Sequence, residues 1–211
     1  MNAESTGAGN LSCAEALRTR RSVRRLRQEP VPRDLLAKLV EAATWAPAPH
    51  HTKPWRFALI VEDAVKQRLG DAMGERWTAD LRGDGLPEPR VTAIVDRSRR
   101  RIAAAGALVV ISLVKGDLQR YPDARRQAAE YTMGAHSLGA SIENLLLAAH
   151  DAGLAGSWMC APLFCPDTVC ATLRLPTEWE PQALILLGYA REAPPSRGAS
   201  PLDRIVTWVD A

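Results

Sequence analysis

Two stretches of this 211-residue chain concentrate side chains able to bind or polarise a ligand. Six arginines, Arg18, Arg20, Arg21, Arg24, Arg25 and Arg27, fall within ten residues. A guanidinium fork suits bidentate recognition of phosphate. On composition alone the run reads as a solvated charged face, as a nucleic-acid arm, or as a wrap around an anionic cofactor. The second stretch, APAPHHTKPWRF at 46–57, packs three prolines, two adjacent histidines, a lysine and a tryptophan into twelve positions. Fold-building alone does not need that mixture. The bland reading of His50 and His51 is polar loop residues bonding the backbone. In an extended loop the two rings point to opposite sides, so they do not chelate one metal together.

Several chemistries are excluded. No G-x-G-x-x-G follows a strand pattern. GAHSLGAS at 134–141 imitates a P-loop but lacks its lysine and lies inside a helical pattern. There is no G-x-S-x-G elbow. Cys160, Cys165 and Cys170 are spaced five apart with no C-x-x-C pair or nearby histidine, so no metal is expected, and buried free thiols, Cys13 included, are the expectation. The arginine run sits between helical patterns and lacks interleaved aromatics, which argues against nucleic acid. A net charge of +3 does not by itself imply a polyanion partner. No apolar run is long enough to span a bilayer. The small polar start, MNAESTGAGN, lacks a signal-peptide core, so a disordered lead-in over 1–11 and a cytoplasmic location are expected.

The elements that must position these residues follow from patterning. Ser12 and Glu15 form a capping box opening a helix over 13–19. Leu35, Leu36, Leu39, Val40 and Ala43 follow helical spacing, and Pro47 and Pro49 end that helix near Ala46. Trp55 to Val61 reads as a buried strand, followed by helices over 63–82 and 88–104. Ala107 to Val114 is apolar throughout, as central strands are. One long helix is expected over 123–151, then a strand at 155–160, a helix after Pro166, a strand at 182–190 and a proline-rich tail. The order implies one α+β domain over 12–211, a central mixed sheet flanked by helices with a long central helix.

These pieces resemble the nitroreductase family of FMN-dependent oxidoreductases. RTRRSVRRLRQEPVPRDLLAKLVEAATWAPAPHHTKPWRF is similar to the family's amino-terminal signature, and NLLLAAHDAGLAGSW to its long helix and flavin-contacting strand. The resemblance implies an intertwined homodimer with FMN at the subunit interface, each tail embracing the other subunit. It places Arg20, Arg21, Ser22 and Arg24 on the FMN phosphate, ribityl chain and ring. His51 and Lys53 would stand at the pyrimidine edge, where commoner members carry Asn and Gln. Trp158, Met159, Cys160 and Ala161 would lie along the ring, and Arg197, or Arg204 after it, would reach the phosphate. Hydride transfer would belong to flavin N5, so no side chain is named catalytic, and the electron donor would be NADH, NADPH or another reductant.

A narrower similarity rests on APAPHHTKPWRF, ERWTADLRGDGLP, RYPDARRQAAEYTM, APLFCPD and LPTEWEPQALILLGYA. They resemble the carboxy-terminal reductase domain of a bifunctional enzyme of coenzyme F-420 biosynthesis. That resemblance implies reduction of an enolpyruvyl-derived dehydro intermediate, with a separate glutamate ligase as partner and Arg25, Arg56, Arg125 and Arg126 as a basic rim. The alternatives are a general NAD(P)H-dependent nitro or quinone reductase acting on small-molecule acceptors, and a non-catalytic flavin-binding or basic nucleic-acid-binding module.

Overall fold

The computed structural model describes residues 11–209. The lead-in expected over 1–11 therefore lies outside the described residues, apart from Leu11, whose amide donates to Asp151 Oδ1 at 2.9 Å. Six helices and four strands are described: α1 (Cys13–Thr19), α2 (Arg33–Thr44), β1 (Trp55–Ile60), α3 (Asp63–Gly83), α4 (Glu88–Ala104), β2 (Ala107–Val114), α5 (Ala124–Asp151), β3 (Ala155–Met159), α6 (Pro166–Leu173) and β4 (Trp179–Gly188). None of the described helices is long and apolar enough to cross a membrane.

The sheet runs β1-β2-β4-β3 and every pairing between these strands is antiparallel. The mixed sheet expected from sequence is thus antiparallel in its strands. Its parallel component is one bridge, Ser22 to Gly156, where the arginine run passes along the free edge of β3. Alternate residues of β2 and β4 face opposite ways, as a two-residue period requires. Val109, Ile111, Ile185 and Leu187 meet Leu36 and Leu39 of α2 and Leu138, Ile142 and Leu145 of α5. Leu108, Val110, Leu184 and Leu186 meet Leu69 and Met73 of α3, Ile102 of α4 and Val169 of α6. Helices on both faces explain why β2 is buried at every position.

β4 begins at Trp179 rather than at Gln182. Proline lacks the N–H a ladder needs, which argues for a later start. The chain accommodates Pro181 with a bulge: Ile111 faces Ala183 while Ser112 faces Pro181. Gly106 leads into β2 with its Cα against the loop that leaves the arginine run; a Cβ there would stand 2.3 Å from the Glu29 carbonyl oxygen.

Candidate active site

The capping box forms as expected, with the Ser12 amide donating to Glu15 Oε2 at 2.8 Å and the Glu15 amide to Ser12 Oγ at 3.3 Å. It fixes α1, and Arg20 caps the helix's other end. From there the chain is fastened to two elements. Arg20 Nε donates to Glu143 Oε1 on α5 at 2.8 Å, and the Val23 amide donates to the Gly156 carbonyl at 2.9 Å. Thr19 Oγ1 and His150 Nε2 lie 2.7 Å apart, and burial followed by the nearby Arg20 charge pushes His150 below its ordinary pKa.

The arginines of this run do different work. Arg21 is occupied by backbone carbonyls: those of Arg18 and Arg20 at 2.7 Å, and those of Pro195 and Arg197 at 3.3 Å. It therefore ties the tail to the loop. Arg197 meets Arg21 through its carbonyl, and its exposed side chain is left outward. Arg24 is exposed and makes no ion pair or side-chain hydrogen bond among the described residues. After the single Ser22–Gly156 bridge the run leaves β3 and meets the end of β4, where Leu26 bridges Ala190, and the Arg24 charge lies near Arg101 of α4.

Beyond that edge, the indole of Trp158 is 39% exposed and lies 3.8 Å from where a Cβ on Gly139 would stand. Met159 and Ala161 are half-buried. The thiols depart from the expectation of burial: Cys13 and Cys160 are exposed, Cys165 and Cys170 buried. Cys13 sits in the outer first turn of α1, and Cys160 follows the last residue of an edge strand, so neither has a layer above it. Burial pushes the Cys165 and Cys170 thiols up in pKa.

The loop 46–54 departs from the extended form expected of it. It turns through a 3-10 segment at Pro49–His51, and three of its residues are left-handed: His50 at φ 54°, His51 at 56° and Lys53 at 49°. Non-glycine residues rarely sit there, and holding them costs free energy of about 1–2 kcal/mol each. His50 Nε2 lies 3.5 Å from Glu130 Oε2, a carboxylate with no exposed side-chain surface. The Glu130 Oε1 atom accepts the Gln119 amide at 3.1 Å. Lys53 and His51 are exposed and make no ion pair among the described residues.

Within one chain the two groups of candidate residues do not meet. His50 docks on α5 at Glu130 and Arg20 docks on it at Glu143. At 1.5 Å per helical residue these anchors are about 20 Å apart. The sheet agrees, since β1 and β3 are its opposite edges and Trp55 is level with Leu113, whereas Trp158 is level with Ile185. Strand spacing and rise put Trp55 about 20 Å from Trp158. Arg20, Ser22, Arg24, Trp158, Met159, Cys160 and Ala161 thus share one edge, and His51 and Lys53 another.

A cavity of about 960 Å³ opens beside the first group, between α3, α4 and the turn at Ala161–Phe164. Trp77 and the exposed Phe164 form walls, and Met159, Ala161 and Cys165 continue from β3. Arg97 and Arg101 project into it from α4. Burial, then the charges of Arg24 and Arg97, depress the pKa of Arg101. The two α4 arginines escaped sequence reasoning because RSRRR at 97–101 looks like any solvated helix face. Of the expected basic rim, Arg56 is held by Asp117 at 2.7 Å, Arg25 faces Glu192 at 3.5 Å, and Arg126 pairs with Asp123.

Residues 17–189 match the profile described as the Nitroreductase family. The chain is 32% identical over 208 residues to an NADH dehydrogenase of Thermus thermophilus, covering 94% of this chain and 96% of the relative. In structure it is similar to a BluB-like flavoprotein from Clostridium difficile 630, with a TM-score of 0.78 at 20% identity over 95% of this chain and 100% of the other. An FMN and NADPH-dependent nitroreductase from Sphigopyxis sp. strain HMH superimposes with a TM-score of 0.73 at 21% identity, over 95% and 100% of the two chains. At these identities the two structures share the fold.

Proposed function

The chain belongs to the nitroreductase family, and from that premise we propose that it is an FMN-dependent oxidoreductase that passes electrons from NADH or NADPH to a small electron-poor acceptor. The observation that carries the reading is the edge where the arginine run meets β3 at the Ser22–Gly156 bridge and leaves the Arg24 guanidinium without an ion pair among the described residues. The residues fit the cofactor. Arg24 offers a free fork to an anionic or carbonyl oxygen, and Met159, Cys160 and Ala161 are half-buried or exposed where β3 gives way to a 3-10 turn. Bound FMN supplies hydride chemistry at its N5.

The chain's own residues bind, orient and exclude water. Arg20 and Arg21 hold the run in place through Glu143 and the tail, so we assign them to positioning and Arg24 to contact. Trp158 and Phe164 present exposed aromatic surface near β3. His51 and Lys53, about 20 Å away in the same chain, reach it from a second copy. There Lys53 places positive charge where reduction develops negative charge. The exposed tail supports such a dimer: Leu202 is 69% exposed, Trp208 84% and Val209 92%, surfaces that a second copy would cover.

The test is direct. Purified protein should be yellow and bleach anaerobically with NADH or NADPH. A colourless protein that takes up no added FMN overturns the reading. Acceptors are then compared by flavin reoxidation. The enolpyruvyl-derived intermediate of coenzyme F-420 belongs in that panel because of the narrower sequence resemblance. Its rapid turnover, with a mass gain of two hydrogens, would select it over nitroarenes and quinones.

A further inference from the structure

We propose that the cavity between α3 and α4 is the acceptor site, and that it takes a flat, electron-poor compound carrying a phosphate group. The proposal rests on the reductase reading above and names the substrate class of that same site.

Three features point the same way. First, the walls suit a ring. Trp77 on α3 and Phe164 after β3 present aromatic surface to the cavity, 41% and 76% exposed. Aromatic faces of this kind hold planar ligands by offset stacking. At about 960 Å³ the space is at the upper end of small-molecule sites. Second, the cavity is continuous with the β3 edge through Met159 and Ala161, so a ring held there is next to the residues assigned to the cofactor.

Third, the charge is unbalanced where it matters. Arg97 and Arg101 are one helical turn apart on the same face of α4, an arrangement in which like charges repel. Neither has a carboxylate partner among the described residues, and Arg24 joins them from the arginine run. Neighbouring arginines are treated differently: Arg76 pairs with Asp80, Arg82 with Glu88, and Arg99 Nε lies 3.2 Å from Asp71. The acidic groups on the cavity are Asp80, engaged by Arg76, and Asp84. Close packing of the two helices keeps α4 in place: Cβ atoms built on Gly70 and Gly74 would stand 3.3 Å from Ile102 and 3.1 Å from Val95. Unpaired guanidinium groups on a rigid wall are suited to a phosphate dianion, which they can grip by several charge-assisted bonds.

The test uses the full FMN-loaded chain with 4-nitrophenyl phosphate and its neutral counterpart 4-nitroanisole. In each, one reduced nicotinamide and one proton convert nitro to nitroso and release water. Wild type should favour the phosphate. In Arg97→Gln/Arg101→Gln the ratio of the two kcat/KM values should fall roughly ten- to a hundredfold. Arg97→Lys/Arg101→Lys should recover part of it. An unchanged ratio overturns the proposal. So does loss of FMN from the glutamine pair, because the cluster would then belong to the flavin phosphate. Calorimetry of phenyl phosphate on the chain with and without FMN separates the two readings. Arginine-dependent binding that persists when FMN is bound, or that is seen in a chain that takes up no FMN, supports the cavity assignment. Arginine-independent binding, or binding that FMN abolishes, overturns it.

Discussion

At the scale of single residues, function here depends on which charged groups the fold leaves unsatisfied. Arg21 and Arg24 look equivalent in RRSVR, yet one bonds four carbonyls and the other bonds nothing among the described residues. Arg24→Ala should therefore weaken FMN binding roughly ten- to a hundredfold, the worth of one charge-assisted bond. Titration of apo-protein with FMN measures it, and an unchanged affinity removes Arg24 from the site. The left-handed loop makes an opposing prediction. His51 is exposed at φ 56°, where glycine sits without strain. His51→Gly should raise the thermal midpoint by about 2–4 °C, corresponding to about 1 kcal/mol of relieved strain. The same change should weaken FMN binding. A lower midpoint would show that the ring makes contacts worth more than the strain it imposes.

At the scale of elements, residues far apart in sequence fasten the layers together. Lys115 after β2, Tyr131 on α5 and Glu180 on β4 meet in one cluster: Lys115 and Tyr131 both bond Glu180, and Gln182 Nε2 donates to the Tyr131 hydroxyl at 3.1 Å. Burial pushes Glu180 up, but the bonds from Lys115, Tyr131 and Gln182 outweigh it and hold the carboxyl below its ordinary value. A depressed carboxylate contributes stability that is present above its unfolded pKa and disappears as pH falls through the folded one. The stability gap between wild type and Glu180→Gln should therefore be widest near neutrality and close as pH falls from about 5 to 3. Denaturant unfolding at several pH values checks this, and a gap that persists in acid rules it out. Gly106→Ala should lower stability by about 1–3 kcal/mol, since its Cβ would meet the rigid Glu29 carbonyl rather than a yielding side chain. A thermal midpoint equal to that of wild type would show that the loop gives way at no cost. Element positions were legible because their signals are local: the Ser12–Glu15 box, Pro47 and Pro49 ending α2, the unbroken apolar run of β2. The start of β4 was not, because only the partner strand's bulge makes Pro181 acceptable. The loop's handedness, the engagement of Arg21 and the freedom of Arg97 and Arg101 are tertiary facts, with no trace in residue type or spacing.

At the scale of the whole molecule, α5 acts as a ruler. It holds His50 through Glu130 near one end and Arg20 through Glu143 nearer the other, about 20 Å apart. Gly134 packs inward: a Cβ there would stand 2.8 Å from Leu118 within the chain's own core. The case for two copies rests instead on the separation of the two groups and on the exposed tail. If each flavin site takes Arg24 from one subunit and Lys53 from the other, two defective chains can repair each other. Arg24→Ala and Lys53→Met should each lower FMN affinity when expressed alone. Co-expressed in equal amounts, half of the dimers are mixed, and each mixed dimer has one site with both side chains intact and one with neither. Roughly a quarter of all sites should then bind FMN with wild-type affinity, as two-fold symmetry requires. Flavin titration of the co-purified mixture, resolved into a tight and a weak fraction, reads that number directly. A single weak class of sites would place Arg24 and Lys53 in separate functions, and light scattering that showed a flavin-loaded monomer would remove the shared site altogether.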